Sequence, residues 1–319
     1  MDERVHLDLR TMFSVFPELN IDLKSLAATR SAMNEMYLNN SLQGNESVSI
    51  SNRNIQGPPD SPEIRVRIYE PAVKNEQLPG LFWIHGGGYL LGLPEMDDDL
   101  CHRYVSETNC VVVSVDYRLA PETPFPGPVE DCHAALKWFA ENADELGVDV
   151  SRIAVAGASA GGGLAAAVSL LARDRQGPSI AFQMPLYPMI DDRNTTRSSQ
   201  EISDTRVWNR ENNLLGWAAY LGINHEGEVS PYEAPARAED FSGLPPTYTC
   251  VGDLDPFRDE TIEYVSKLAQ AGVPTEFHLF PGCFHGFDIL APAAEISQRA
   301  VSQYVDALKR GLQQEVTVK

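Results

Sequence analysis

The chain has 319 residues, 43% hydrophobic and 22% charged, which excludes a disordered or fibrous protein and leaves room for one large α/β domain or two small domains. Its 25 Lys and Arg against 45 Asp and Glu leave a net charge of −20, a surface that repels nucleic acid and anionic membranes and disfavours both as partners. The five cysteines, at 101, 110, 132, 250 and 283, form no C-x-x-C pair; they suggest neither a disulfide framework nor a zinc site and read as reduced thiols of a cytoplasmic protein.

The opening sequence MDERVHLDLR lacks the apolar stretch of a secretory signal, and no apolar run is long enough to span a bilayer, so no integral membrane association is expected. The N-x-S/T matches at Asn39, Asn45 and Asn194 then read as chance. Residues 1–50 read as helical, and the turn-rich SNRNIQGPPDSPE (51–63) ends that segment. A strand is expected over 63–69, where Ile64, Val66 and Ile68 alternate with polar residues as on a half-exposed sheet face. LFWIH (81–85) and CVVVSVDY (110–117) are continuously apolar, the mark of strands covered on both faces. A helix over 129–145, the strand IAVAG (153–157), a helix over 160–174 and a strand ending near 184–187 follow.

The alternation breaks over 190–245, apart from a helix around 208–221, and resumes with a strand at 247–252, a helix over 257–271, a strand at 275–280 and a terminal helix over 292–313. Alternating strands and helices predict an α/β fold with a mostly parallel sheet flanked by helices. The expected organisation is an N-terminal cap segment (1–50), a first core part (51–189), a cap insertion (190–245) and a second core part (246–319).

The strand IAVAG runs into Gly157-Ala158-Ser159-Ala160-Gly161, a G-x-S-x-G at a strand-to-helix turn that would hold the serine hydroxyl clear of the sheet. A bare helix start or a phosphate-binding turn is the plainer alternative, but neither a clean G-x-G-x-x-G nor a G-K-[ST] is present. His85-Gly86-Gly87-Gly88 ends an earlier strand, and its glycines let backbone N–H groups face a cavity, which suits an oxyanion hole completed by the Ala160 N–H. A serine nucleophile needs a base and an orienting acid. Downstream lie Asp253, Asp255 and Asp259 after one strand and His285 after the next; His278 sits inside a strand, so His285 is the better base.

HGGG (85–88), DYRLAPE (116–122), GASAGG (157–162), DPFRDE (255–260) and HGF (285–287), in that order, resemble the hormone-sensitive-lipase-like family of α/β-hydrolases. The resemblance covers roughly residues 64 to 313 and implies an α/β-hydrolase fold with a helical cap. It also implies Ser159 as nucleophile, Asp255 as acid, His285 as base, and Gly87, Gly88 and Ala160 as oxyanion donors. Asp255 is preferred over Asp253 on the family's D-P-x-R-D pattern alone. Ala158 departs from the acidic residue that many members carry before the serine.

The implied activity is a serine carboxylesterase acting on short- to medium-chain esters, with a small-molecule ester as partner and no cofactor. The alternatives are an amidase or peptidase with the same triad, or a non-catalytic small-molecule receptor. A related plant receptor group keeps the fold without the histidine, so His285 argues for an enzyme. Phe13, Phe16, Tyr187, Trp208 and Trp217 are candidates for the substrate pocket, with plain core packing as the alternative. Asp97 to Asp99 and Asp191-Asp192 lack histidine or glutamate at ligand spacing, so no metal is expected. Asp116, Arg118 and Glu122 read as a salt-bridge network under the HGGG loop, and Cys283 as a small buried side chain. A homodimer is left open.

Overall fold

The computed structural model describes residues 1–313; the last six residues of the expected second core part lie outside the described residues. Eight strands form one sheet in the order β1-β2-β4-β3-β5-β6-β7-β8. They are β1 (Val48–Ile55), β2 (Ile64–Pro71), β3 (Leu78–Ile84), β4 (Val111–Asp116), β5 (Val148–Ala158), β6 (Phe182–Leu186), β7 (Thr247–Leu254) and β8 (Thr275–Phe284). The β1–β2 and β2–β4 pairs are antiparallel, and all other pairs are parallel.

The principal helices are α1 (Leu26–Asn39), α2 (Asp98–Thr108), α3 (Gly127–Glu141), α4 (Ala160–Asp174), α5 (Arg210–Leu221), α6 (Arg258–Gln270) and α7 (Glu295–Leu312). α3, α4 and α6 pack on one face of the sheet, while α2 and α7 share the other. Every residue of β3 is buried, as a strand covered on both faces must be.

Two sequence expectations need correction. β1 crosses the expected boundary at residue 50 and occupies much of the expected link, pairing along its whole length with β2. Its middle residues, Ser51 to Asn54, are exposed, so this edge strand carries no apolar alternation. β2 is also less exposed than its pattern implies. The Arg67 guanidinium is buried against Asp98, donating from Nε at 2.8 Å, and the Tyr69 hydroxyl donates to the same carboxylate at 2.5 Å.

The connection after β3 leads to β4 on one side, whereas β5 returns to the other side of β3. Consecutive loops therefore part between β3 and β5 and leave a crevice at the carboxyl ends of those strands, where ligands bind in open α/β sheets. Over it lie the N-terminal segment and residues from 190–245, joined to each other. Leu19 N–H donates to the Thr205 carbonyl at 2.6 Å, and Asn212 Nδ2 donates to the Leu19 carbonyl at 2.9 Å. Arg206 pairs with Asp2 at 2.9 Å and covers the Phe13 ring. Among the described residues, no helix is long and apolar enough to cross a membrane.

Candidate active site

Ser159 stands between β5 and α4 with φ 58° and ψ −121°, a left-handed conformation unusual for a residue with a side chain. The turn is tight because β3 presses against it. A Cβ on Gly157 or Gly161 would strike the Ile84 carbonyl oxygen, so only glycine fits at either flank. The serine backbone is fixed on both sides, its N–H donating to the Leu186 carbonyl at 2.9 Å and its carbonyl accepting from Met189 N–H at 3.0 Å.

His285 directly follows β8, which runs four residues further than the sequence pattern suggested. Its Nε2 lies 2.9 Å from Ser159 Oγ and its Nδ1 lies 2.7 Å from Asp255 Oδ2. A carboxylate only accepts, so Nδ1 carries the proton and the Nε2 lone pair faces the serine hydroxyl. Asp255 follows β7 and is fully buried; its second oxygen accepts from Phe257 N–H at 2.9 Å, which fixes the carboxylate plane. Tyr187, Trp208 and Phe257 surround the imidazole, with ring centroids 5.2, 6.3 and 4.9 Å away.

The other candidates have different occupations. Asp253 Oδ1 accepts from Gly282 N–H at 2.6 Å and braces the end of β8. Asp259 binds the Ser198 amide and Arg258, and His278 faces Glu276.

The N–H groups of Gly87, Gly88 and Ala160 donate to no protein acceptor among the described residues, whereas the Gly87 carbonyl is taken by Leu90 and Leu91 N–H. Their loop is held from beneath: the His85 ring stacks on Tyr117, whose hydroxyl donates to the His85 carbonyl at 3.0 Å. It is held from the side by Arg30 of α1, whose guanidinium donates to the carbonyls of Leu90 and Ala120 and to Glu122. Asp116 pairs with Arg65 and Arg118 with Asp131, so the 116–122 stretch is a support for the loop.

A cavity of about 200 Å³ opens beside Ser159, His285 and the 86–88 loop. Tyr187 and Trp208 line it, Trp208 lying against Gly88. Phe13, Phe16 and Trp217 do not. Phe13 and Phe16 pack on Phe284 behind the histidine loop, and Trp217 packs on Tyr89 and Tyr220. The lining instead includes Leu19, Ile21, Met33 and Tyr37 from the N-terminal segment, with Met96 and Asp97 after β3 and Ile289 and Leu290 after His285. Asp97 is buried, accepts from Trp83 Nε1 at 2.7 Å, and is pushed up to about 7, chiefly by burial. Phe257 and these aliphatic residues escaped the sequence reading, and Asp97 is weighed there only as a metal ligand. Phe257 lies within the recognisable DPFRDE motif, but the aliphatic residues carry no local signal.

The model of the family described as alpha/beta hydrolase fold matches residues 81–289, more than half of the chain. The chain belongs to the α/β-hydrolase family. Within it, the ordered motifs mark the hormone-sensitive-lipase-like branch. This α/β-hydrolase is 39% identical over 253 residues to "Carboxylesterase NlhH" of Mycobacterium tuberculosis, a match covering 78% of this chain and 79% of that protein. It superposes on the solved structure titled "Bacterial Heroin Esterase" with a TM-score of 0.92 at 41% identity, covering 98% of this chain and 99% of that one. The corresponding values for esterase LipW from Mycobacterium marinum are 0.88 and 33%, over 98% of each chain.

Proposed function

We propose that this carboxylic-ester hydrolase is a serine carboxylesterase acting on short- to medium-chain esters. Ser159 Oγ attacks the ester carbonyl as His285 Nε2 takes its proton, and Asp255 holds the imidazole and stabilises its charge. The amides of Gly87, Gly88 and Ala160 receive the oxyanion. His285 then returns the proton to the leaving alkoxide, and the same base activates the water that releases the acid. The observation that carries this reading is the Ser159–His285–Asp255 chain, at 2.9 and 2.7 Å, beside three unoccupied amide donors. The cavity of about 200 Å³ supports a short or medium acyl group.

The N-terminal segment and 190–245 act together as the cap, a role supported by their mutual hydrogen bonds and by the cavity residues each supplies. The five free buried thiols support a cytoplasmic setting. The test is an acyl series of 4-nitrophenyl esters from acetate to decanoate. Wild type should hydrolyse the shorter members, and Ser159→Ala should lose at least about 10⁴-fold in kcat while staying folded. No hydrolysis across the series would overturn the proposal, and a matched anilide cleaved as fast as the ester would shift it to an amidase.

A further inference from the structure

We propose that Asp97 and Asp288 form an anionic wall of the substrate site that selects esters bearing a cationic group, a specificity that rests on the esterase reading above. Asp97, Met96 and Ile289 line both the catalytic cavity and an adjoining cavity of about 240 Å³, and Asp288 lines the latter. Tyr187 joins the two: its ring faces the catalytic cavity and its hydroxyl donates to Asp288 Oδ2 at 3.2 Å.

Five of the seven other buried acids among the described residues have basic partners; the remaining two, Glu233 and Glu260, accept only from backbone N–H groups and line neither cavity. Glu95 pairs with Arg65, Asp98 with Arg67, Asp131 with Arg118, Asp191 with Arg193, and Asp255 with His285. Asp97 and Asp288 have no Lys, Arg or His within ion-pair distance among the described residues. Trp83 serves only one oxygen of Asp97, and Asp288 Oδ1 is 1 of the buried polar atoms with no partner at all. An unpaired buried carboxylate is costly, and a bound cation would relieve that cost in surroundings where charge is weakly screened. The overall charge of −20 adds a field that draws cations toward the protein.

The groups facing Asp97 are Asp98, tied to Arg67; Asp288, itself beside His285; and Tyr37, Cys101, Tyr104, Tyr117 and Tyr187. Asp99 and Arg103 stand at the adjoining cavity, Arg103 turned to Glu107. His285 bears on Asp288 only from beyond ion-pair distance, being paired with Asp255, and none of the other groups supplies a counter-charge to the acid pair.

The test compares permanently charged esters with neutral isosteres. One pair carries the charge in the acyl part: 4-nitrophenyl 4-(trimethylammonio)butanoate and 4-nitrophenyl 5,5-dimethylhexanoate. The other carries it in the alcohol: 2-(trimethylammonio)ethyl butanoate and 3,3-dimethylbutyl butanoate, followed by acid release. In at least one pair, wild type should favour the cationic ester by about tenfold or more in kcat/KM. That ratio should rise from pH 6 to pH 8 as Asp97 ionises, and fall about tenfold in Asp97→Asn. Any pH effect on the shared chemical step cancels in the ratio, and the wild-type pH profile needs no folded variant. No cationic preference in either pair, or a preference flat with pH and unchanged in Asp97→Asn, overturns the proposal. Hydrolysis of the neutral esters in that case leaves the esterase reading intact, whereas failure on all four esters removes both.

Discussion

Asp253 and Asp255 lie two positions apart at the end of β7, so strand periodicity sends both carboxylates the same way and spacing cannot choose between them. Their surroundings can. Gly282 N–H occupies Asp253, while Asp255 is left to face His285 Nδ1. Asp255→Asn should therefore keep the fold but favour the wrong imidazole tautomer, lowering kcat by about 10³- to 10⁴-fold on 4-nitrophenyl butanoate. An effect below tenfold would remove Asp255 from the proposed triad. Ser159, His285 and the glycines at 87 and 88 were legible because their chemistry demands residue types at a tight turn, and such demands leave local motifs. The pocket was less legible. Phe13 and Trp217 are as apolar as Trp208, and only the tertiary fold decides which of them meets the cavity.

The N-terminal helix α1 reaches the catalytic loop through one side chain, Arg30, which satisfies the carbonyls of Leu90 and Ala120 and pairs with Glu122. Its removal unties α1 from the loop that presents the Gly87 and Gly88 amides. Arg30→Ala is expected to lower kcat/KM by about tenfold, because misplaced donors stabilise the transition state less. The lost hydrogen bonds should lower unfolding stability by about 1–3 kcal/mol in urea titration. An unchanged kcat/KM would show that the loop holds its shape without α1. Helix-scale and central-strand features were readable from periodicity and apolar runs. β1 was not, because a sheet edge facing water is built from the same polar residues as a loop.

The whole molecule carries an imbalance among its buried acids. Burial pushes Asp97 up to about 7, and raises Asp288 and Glu260 above the ordinary carboxylate range. At Asp97, between about pH 4 and pH 7, the folded state thus holds a proton that the unfolded chain has released, so stability falls as pH rises by up to about 1.4 kcal/mol per pH unit, and Asp288 and Glu260 act in the same direction. Half-buried paired acids such as Asp149 are shifted down instead, and their contribution is lost only on acidification below the ordinary carboxylate range. Wild type should melt at a lower temperature at pH 8 than at pH 5.5. Asp97→Asn should shrink that difference by about 2 kcal/mol, or about 4 °C. An identical pH dependence in the variant would mean that Asp97 titrates normally.

The five cysteines have a use that their chemistry in the folded state conceals. All are free and buried, and burial holds each thiol well above its ordinary range, so none offers a thiolate to reagents while the fold is closed. They are spread over separate elements: Cys101 in α2, Cys110 just before β4, Cys132 in α3, Cys250 in β7 and Cys283 in β8. Each is an internal clock for its own neighbourhood, since alkylation there proceeds only as often as that element opens. Mass-resolved labelling of the native protein would rank the breathing of the two ends of the sheet, and Cys283, two residues before His285, times the opening of the catalytic loop itself.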